Sequence, residues 1–445
     1  MRYLVVGTGK SGIGSAKLLL RHNEEVVIYD SNENIDVDEV KNKLGKDDVK
    51  IILGKLDNDD FKDIDIMVIS PGVPIDADFV IDAKKAGVHI WGEIELAFRY
   101  AKGRIIGITG TNGKTTTTTL VGEIMKNYFD SVFVVGNIGY PFTDIVDETK
   151  DDSVIVAEIS SFQLESIDEF HPVLTSVLNI TPDHLNRHYT MENYADVKMS
   201  ITKNQTEEEV CVLNYEDEIL RKYAGKLPAK VMFFSSASYL DKGVFLDGER
   251  IIYREHNVDE CVCKVSEMKL VGMHNVENVM AAICMSISMG VDIETIRNTI
   301  REFKAVEHRI EFVRDLDDVL YYNDSKGTNT DASIKAIEAM TRPTVLIAGG
   351  YDKGSEYDDW IKAFNGKIKK LVLIGDTKDK IAQCANKYGY RDYIFATDLK
   401  DAVEKCKENV GPGDAVLLSP ACASWDMFKS YEERGDLFKE YVNAL

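Results

Sequence analysis

The sequence has few cysteines, few prolines and no long apolar run, and it is short of positive charge. Its 7 cysteines, at 211, 261, 263, 284, 384, 406 and 422, form no CxxC pair and no regular spacing. That argues against a disulfide framework or a zinc site and for reduced, mostly buried thiols. With 9 prolines in 445 residues, no linker is Pro-rich, and none is Ser-rich. No apolar stretch approaches the roughly eighteen residues of a membrane span, and the first residues enter a strand without a basic-then-apolar leader. A cytoplasmic protein with no membrane insertion is expected. Lys and Arg number 53 against 75 Asp and Glu, a net charge of −22 spread along the chain, so nucleic acid is not an expected partner.

What is present is a globular composition, 44% hydrophobic and 29% charged, in a chain long enough for about three domains at roughly 150 residues each. Short apolar runs alternate with helical patterns: "YLVVG", "EVVIYD", "VKIILG", "IDIMVIS" and "VHIWGE" come first. A second series runs through "RIIGITG", "SVFVVGN", "SVIVAEIS", "LTSVLNI" and "EVCVLNY", and a third through "VLYYNDS", "PTVLIAGG", "KKLVLIG" and "DAVLLSP". Strands alternating with helices predict parallel sheets covered on both faces. The expected architecture is three α/β domains in tandem, over 1–98, 99–304 and 305–445.

Two strand-to-helix turns are rich in glycine. Gly7, Gly9 and Gly12 satisfy GxGxxG after the first strand, with Asp30 closing the second strand about twenty residues on, the spacing of a dinucleotide fingerprint. The same glycines would serve equally to pack a helix closely on its turn. In the second, "GITGTNGKTT", Gly113 precedes Lys114, which can reach terminal phosphates, and Thr115, whose hydroxyl can hold Mg²⁺ at the positive end of a helix. Ile108 stands where a strict GxxxxGK[ST] motif has its first glycine.

Downstream, Glu158 ends a buried-type strand, where parallel sheets bind ligand. "NITPDHLNRH" places Asp183, His184 and His188 after another strand, and "MENYADVKMSI" places Lys198 on a helix. Taken singly, these are a solvated carboxylate, loop histidines and a surface lysine. Taken in order, "GTNGKTT", "VVGNIG", "AEISSFQLE", "NITPDHLNRH", "YADVKMSI", "GMHNVENVMAA", "EHRIEF", "NDSKGTN" and "LLSPACASWDMFKSYEERGDLF" closely resemble the Mur ligases of peptidoglycan synthesis, over nearly the whole chain. "NDSKGTN" and "SPACASWD" point to the D-glutamate-adding branch.

The resemblance implies an ATP-dependent, ADP-forming ligase that joins D-glutamate to UDP-N-acetylmuramoyl-L-alanine through an acyl phosphate. It implies a Rossmann-like N-terminal domain, a central P-loop ATPase-type parallel sheet and a Rossmann-like C-terminal domain. Lys10, Ser11, Asp30 with Ser31 and Asn32, Gly72, Asn137 and Gln163 would bind the UDP-sugar. Gly110, Thr111, Asn112, Gly113, Lys114, Thr115 and Thr116 would bind ATP, with Asn275 and Asn278 near adenine and Arg309, Asp324 and Lys326 from the third domain. Thr115 and Glu158 would share one Mg²⁺; Glu158, His184 and Lys198 would hold a second, the lysine as a carbamate, because an ammonium cannot ligate a cation. Lys114, Glu158, His184, Lys198 and Arg309 form the expected catalytic set, His184 as a ligand before a base. Thr328, Lys353, Ser424 and Tyr431 would recognise D-glutamate, although Ser424 would also suit a helix N-cap before "WDMFKSYEE".

The chain departs from the family at Asn186, where an Asp is common, and at 30–32. A monomer is expected, with the third domain swinging on Ala305 to Arg309. Three other readings stand beside this one: a sister amide ligase with another acceptor, an NAD-dependent oxidoreductase built on Gly7–Gly12, and a nucleotide-binding regulator without chemistry.

Overall fold

In the computed structural model every residue is described except Ala305, and of Asn58 the backbone alone. The Ala305 end of the expected hinge therefore lies outside the described residues. The first strand series forms a five-stranded sheet: β1 Arg2–Val6, β2 Glu25–Asp30, β3 Lys50–Leu53, β4 Ile66–Ile69 and β5 His89–Gly92, ordered β3-β2-β1-β4-β5 and parallel throughout. The strand order reverses between β1 and β4, which opens a crevice at their carboxyl ends.

The second sheet has nine strands: β6 Arg104–Thr109, β7 Val132–Gly136, β8 Val154–Glu158, β9 Leu174–Val177, β10 Val210–Asn214, β11 Lys230–Ser235, β12 Gly243–Asp247, β13 Arg250–Glu255 and β14 Val258–Lys264. Their order is β14-β13-β12-β11-β10-β9-β6-β8-β7. The third sheet comprises β15 Glu311–Leu316, β16 Val319–Asn323, β17 Thr344–Ala348, β18 Ile368–Leu373, β19 Tyr393–Phe395 and β20 Ala415–Leu418, ordered β15-β16-β20-β17-β18-β19.

The sheets are not purely parallel. β12, β13 and β14 pair antiparallel at one edge of the second sheet, and β15 pairs antiparallel with β16. Each hairpin has a two-residue connection, since Asp247 pairs with Arg250, Glu255 with Val258 and Leu316 with Val319. His256, Asn257, Asp317 and Asp318 all take positive φ in these turns, the backbone that matches the twist of a tight hairpin.

The chain divides into two compact units, Met1–Lys264 with Glu277–Ile300, and Val265–Val276 with Arg301–Leu445. In the first unit one core draws on both sheets: Tyr3, Ile28 and Val68 from the first join Ile105, Ile155 and Leu213 from the second, with Ile94 and Phe142 between them. Leu4, Val6 and Met67 fill a separate core on the other face of the first sheet. In the second unit, successive residues of β17 alternate faces: Leu346 and Ala348 enter one core, Val345 and Ile347 the other. That alternation is the period of two of a strand buried on both sides.

Candidate active site

Strand β6 runs into the turn Gly110–Gly113 and then the helix Lys114–Lys126. Gly110 and Gly113 take φ of 151° and 85°, conformations that favour glycine. A Cβ on Gly113 would lie 2.2 Å from Asn278 Oδ1, so Asn278 sits against the loop. The turn is tied to the tip of β9: the Asn112 N–H donates to Asn179 Oδ1 at 2.8 Å, and Asn179 Nδ2 donates back to Asn112 O at 3.0 Å. Thr111 Oγ1 donates to Thr181 O at 3.1 Å and lies 3.3 Å from the Tyr194 hydroxyl. The sequence motifs give no role to Asn179, Thr181 or Tyr194: the first two follow the tip of β9 and the third lies on the helix Met191–Met199, where such residue types are ordinary. Thr115 and Thr116, in the first turn of the helix, are buried.

Two lysines meet at one carbonyl. Lys114 Nζ donates to Gly110 O and Thr111 O, both at 2.8 Å, and Lys198 Nζ, from the helix Met191–Met199, donates to the same Gly110 O at 2.8 Å. Lys198 is only 1% exposed and its Nζ lies 4.6 Å from the centre of the Tyr194 ring. Burial, and then the charge of Lys114, hold it well below the usual lysine range, against the opposing pull of Asp183. Its neutral amine is therefore far more accessible than that of a surface lysine. Two lysine side chains converging on one carbonyl make a place where a bound anion would favour their charged forms.

Glu158 ends β8, paired with Ile108 of β6 and Gly136 of β7. The side chain is 1% exposed. Its Oε1 accepts from Asn137 Nδ2 at 2.9 Å, while Oε2 is buried without a hydrogen-bond partner. An unsatisfied buried carboxylate oxygen is costly, and a hard divalent cation would satisfy it. Among the described residues no group of three or more His, Cys, Asp or Glu is placed to hold a metal ion, so these residue types alone do not form a ligand shell.

His184 begins the short helix Leu185–His188 from a left-handed φ of 53°. Its ring centre lies 4.9 Å from that of Phe162 in a T-shaped arrangement, and its Nε2 lies 3.6 Å from Asp183 Oδ2. His188 is buried and stacked against Phe162, with Nε2 3.0 Å from Ser161 Oγ. Burial first, then the charges of His184, Lys198 and Arg187, push His188 down to about 4, so it stays neutral at physiological pH. Arg187 pairs with Glu165 at 2.5 Å and donates to Val73 O at 2.9 Å, joining this segment to the loop after β4.

The first glycine turn is built differently. A Cβ on Gly7 would lie 2.6 Å from Ser70 Oγ, and one on Gly12 would lie 1.9 Å from Gly7 O. These glycines bring β1, the loop after β4 and the helix Lys10–Arg21 into contact. Asp30 Oδ2 accepts from Thr8 N and Oγ1 at 3.0 and 2.8 Å, and its Oδ1 accepts from Asn32 N at 3.0 Å. Lys10 is exposed at the helix start beside half-buried Ser11, and Gly72 lies in the turn closed by Val73 N donating to Ser70 O. The Gln163 side chain closes a capping box with Ser160, so its carbonyl is engaged locally.

In the second unit, Asp324 is buried at the end of β16, accepting from Ser419 Oγ at 2.7 Å. Burial pushes its carboxyl up to about 6, with Arg309 the strongest opposing charge. Arg309 Nε is itself buried without a hydrogen-bond partner. Lys326 Nζ lies 5.4 Å from the Tyr431 ring centre, and Thr328 N donates to Lys326 O. Lys353 is exposed and Ser424 buried. Ser424 is not a helix N-cap: its carbonyl accepts from Met427 and Phe428 in a turn, and the helix Tyr431–Asn443 is capped by Ser430. Asn275, whose Nδ2 donates to Val271 O, belongs to this unit, and Asn278 to the first. Arg434, which lies within "SYEERGDLF" but has no role assigned to it there, is fully buried and donates to Ser325 Oγ at 2.9 Å, Ser325 O at 2.8 Å and Cys422 O at 3.3 Å. It clamps the two strand-end loops that carry Thr328 and Ser424.

Family models match in three consecutive stretches: a Mur ligase MurD-like N-terminal domain over residues 1–92, a Mur ligase middle domain over 108–286, and a Mur ligase, glutamate ligase domain over 308–422. A curated relative, UDP-N-acetylmuramoylalanine--D-glutamate ligase of Lachnoclostridium phytofermentans, is 54% identical over 445 residues, covering 100% of this chain and 98% of the relative. The chain belongs to the Mur ligase family. The Clostridioides difficile protein of the same name is 47% identical over 448 residues, with the same coverage. Among solved Mur ligases, UDP-N-acetylmuramate-alanine ligase from Thermotoga maritima superimposes with a TM-score of 0.62 at 19% identity, over 100% of this chain and 99% of that one. The Thermotoga maritima MurF ligase in complex with ADP gives 0.60 at 18% identity, over 100% and 95%. At such identities the structural likeness establishes the Mur ligase fold. No helix among the described residues is long and apolar enough to cross a membrane.

Proposed function

We propose that this chain is an ATP-dependent, ADP-forming ligase that adds D-glutamate to UDP-N-acetylmuramoyl-L-alanine in cytoplasmic peptidoglycan precursor synthesis. The observation that carries the reading is the meeting of Lys114 and buried Lys198 at Gly110 O, in the phosphate loop of a sheet whose neighbouring strand ends in buried Glu158. Neither a redox enzyme built on the first loop nor a passive binding module accounts for that concentration of ionisable groups, two of them, Lys198 and Glu158, buried. The full-length likeness to D-glutamate ligases favours this acceptor over those of the sister ligases.

In the assignment of parts, 1–98 receives the UDP-sugar, 99–304 receives ATP and 305–445 receives the amino acid. Lys10, Ser11, Asp30 and Gly72, with Asn137 and Gln163, are the residues for UDP-N-acetylmuramoyl-L-alanine. Gly110–Thr116 and Asn278 hold ATP, and Asn275, Arg309, Asp324 and Lys326 are assigned to the same nucleotide. Thr328, Lys353, Ser424 and Tyr431 are assigned to D-glutamate, whose anionic side chain suits a lysine and a hydroxyl.

The donors fit Mg²⁺. Thr115, Glu158 and His184 supply oxygen and imidazole ligands, and Glu158 Oε2 has an unmet need for a partner. Lys198 as a carbamate would add an oxygen ligand to Glu158 and His184, with phosphate and water completing the shell. That modification needs a neutral amine, the form burial favours at Lys198. Bound there, Mg²⁺ would neutralise charge on the phosphoryl oxygens.

The substrate carboxylate attacks the γ-phosphorus of ATP and ADP leaves; Lys114 steadies the charge on the transferring group. The amine of D-glutamate then attacks the acyl phosphate carbon, loses a proton, and phosphate departs as the amide forms. The chain's own contribution is positioning and electrostatics. The test is phosphate release from ATP with UDP-N-acetylmuramoyl-L-alanine and, in turn, D-glutamate, L-glutamate, L-alanine or meso-diaminopimelate. Release with D-glutamate alone supports the reading. Release with another acceptor overturns the D-glutamate assignments, and release with none overturns the ligase.

A further inference from the structure

Beside the first glycine turn lies a cleft of about 550 Å³, between the helix Lys10–Arg21 and the segment Gly139–Asp144. Lys10 and Lys17 line it from one helix, and Lys43 reaches it from the helix Val37–Leu44. Three lysines in one cleft run against the composition of a chain with a net charge of −22. Neither Lys10 nor Lys17 forms an ion pair among the described residues, though the charge of Lys17 acts on the Asp144 carboxylate. Lys43 pairs with Glu39 at 2.7 Å, but both side chains are more than half exposed, and such a pair yields readily to a stronger anion. Gly9, the cap of the Lys10–Arg21 helix, makes no side-chain capping bond, which leaves the helix start as an anion-facing end of the same cleft. The far wall presents Tyr140, 70% exposed, three residues after Asn137. A carboxylate, Asp144, also lines the cleft.

We infer that Lys17, Lys43 and Tyr140 extend the nucleotide-sugar site along this cleft, the two lysines carrying diphosphate charge beyond Lys10 and Tyr140 packing on the sugar. The ligand class is a nucleoside diphosphate joined to a sugar. Cations on one wall match two adjacent phosphates, and an exposed aromatic ring on the other matches the apolar face of a pyranose. The inference rests on the reading of the substrate as a UDP-sugar, yet its direct test does not require catalysis.

The experiment is calorimetric titration of UDP into the full chain, its Lys17→Ala, Lys43→Ala and double variants, and Tyr140→Ala, alongside KM for UDP-N-acetylmuramoyl-L-alanine from phosphate release. Each lysine change should weaken UDP about tenfold, the scale of one hydrogen bond to a charged group, and should flatten the salt dependence of binding. Tyr140→Ala should leave UDP affinity unchanged and raise KM for the sugar-bearing substrate. Affinity for a non-hydrolysable ATP analogue should not change in any variant. Wild-type UDP affinity and KM in the double variant would overturn the inference while leaving the ligase standing. UDP binding that depends on the lysines, with no phosphate release for any acceptor, would overturn the ligase and keep the cleft.

Discussion

The two glycine turns begin from the same sequence plan, an apolar strand, spaced glycines and a helix, and become different devices. At the first, glycine serves close packing: Gly12 leaves no room for a Cβ against Gly7 O, and Asp30 is engaged in holding Thr8. Its cations, Lys10 and Lys17, lie out along the helix in an open cleft. At the second, Gly110 and Gly113 take positive φ as Gly7 does at the first, but here the ionisable groups are buried, with Lys198 and Glu158 each 1% exposed. A glycine pattern therefore specifies a turn; the burial of charge around the turn specifies chemistry.

The sharpest way to break the comparison is to remove the buried charge at the second turn. Lys198→Ala and Glu158→Gln should each lower turnover about a thousandfold, the scale of lost electrostatic stabilisation at a reacting phosphoryl group, with UDP affinity retained. Lys198→Arg should be as poor as Lys198→Ala, because a guanidinium does not take up CO₂. Wild-type activity should fall in CO₂-stripped buffer and return with bicarbonate. Phosphate release checks all four, and an active Lys198→Arg variant would remove the carbamate from the account.

Next in size is a swap of glycine roles. Gly12→Ala forces a Cβ to 1.9 Å from backbone and should cost about 2–4 kcal/mol of stability, the range for severe steric strain, lowering the melting temperature. Gly113→Ala meets a side-chain oxygen at 2.2 Å and a left-handed φ, with a strain of about 1–2 kcal/mol, and should chiefly weaken ATP. The reverse pattern in calorimetry and melting would mean the two turns had been assigned the wrong way round.

A smaller effect sits where the two sheets share their core. Glu93 is buried, accepts from Thr143 N and Oγ1 at 2.8 and 3.1 Å, and is pushed up to about 7 by burial. The folded state thus holds this proton more tightly than the unfolded chain. The resulting contribution is complete below the ordinary glutamate value of 4.5 and is lost as pH rises through about 7. The loss is at most about 3 kcal/mol, at 1.36 kcal/mol per pKa unit. Glu93→Gln keeps the acceptor and removes the titration, so its melting temperature should gain on the wild type between pH 5 and pH 8. Parallel melting curves would show that Glu93 does not titrate there. Smallest of all, Asp30→Asn should raise KM for the UDP-sugar about threefold, roughly the value of one weakened hydrogen bond, and leave KM for ATP alone.

Much of the fold was legible because its strands are apolar runs bounded by glycine or polar turns; all five strands of the first sheet lie where such runs predict them. The antiparallel edge β12–β14 is not legible, because the strands joined by Gly248-Glu249 and His256-Asn257 are partly exposed and their burial does not alternate. At the candidate site, motif order picked out Lys114, Glu158 and Lys198, but sequence carries no sign that two amines share one carbonyl. Nor did it single out Asn179, Phe162 or Arg434, whose work is to hold other groups in place and whose residue types are ordinary where they stand. The N-cap expected at Ser424 failed because Ser430, six residues on, takes that place with a bond from Glu433 N.

The central claim is that the two turns hold different phosphates. Its most direct test is calorimetric titration of a non-hydrolysable ATP analogue and of UDP into the wild type and Lys114→Ala. The account predicts that the wild type binds both and that Lys114→Ala loses the ATP analogue while holding UDP as tightly as before. Retention of the ATP analogue by Lys114→Ala, or loss of both ligands together, would contradict it.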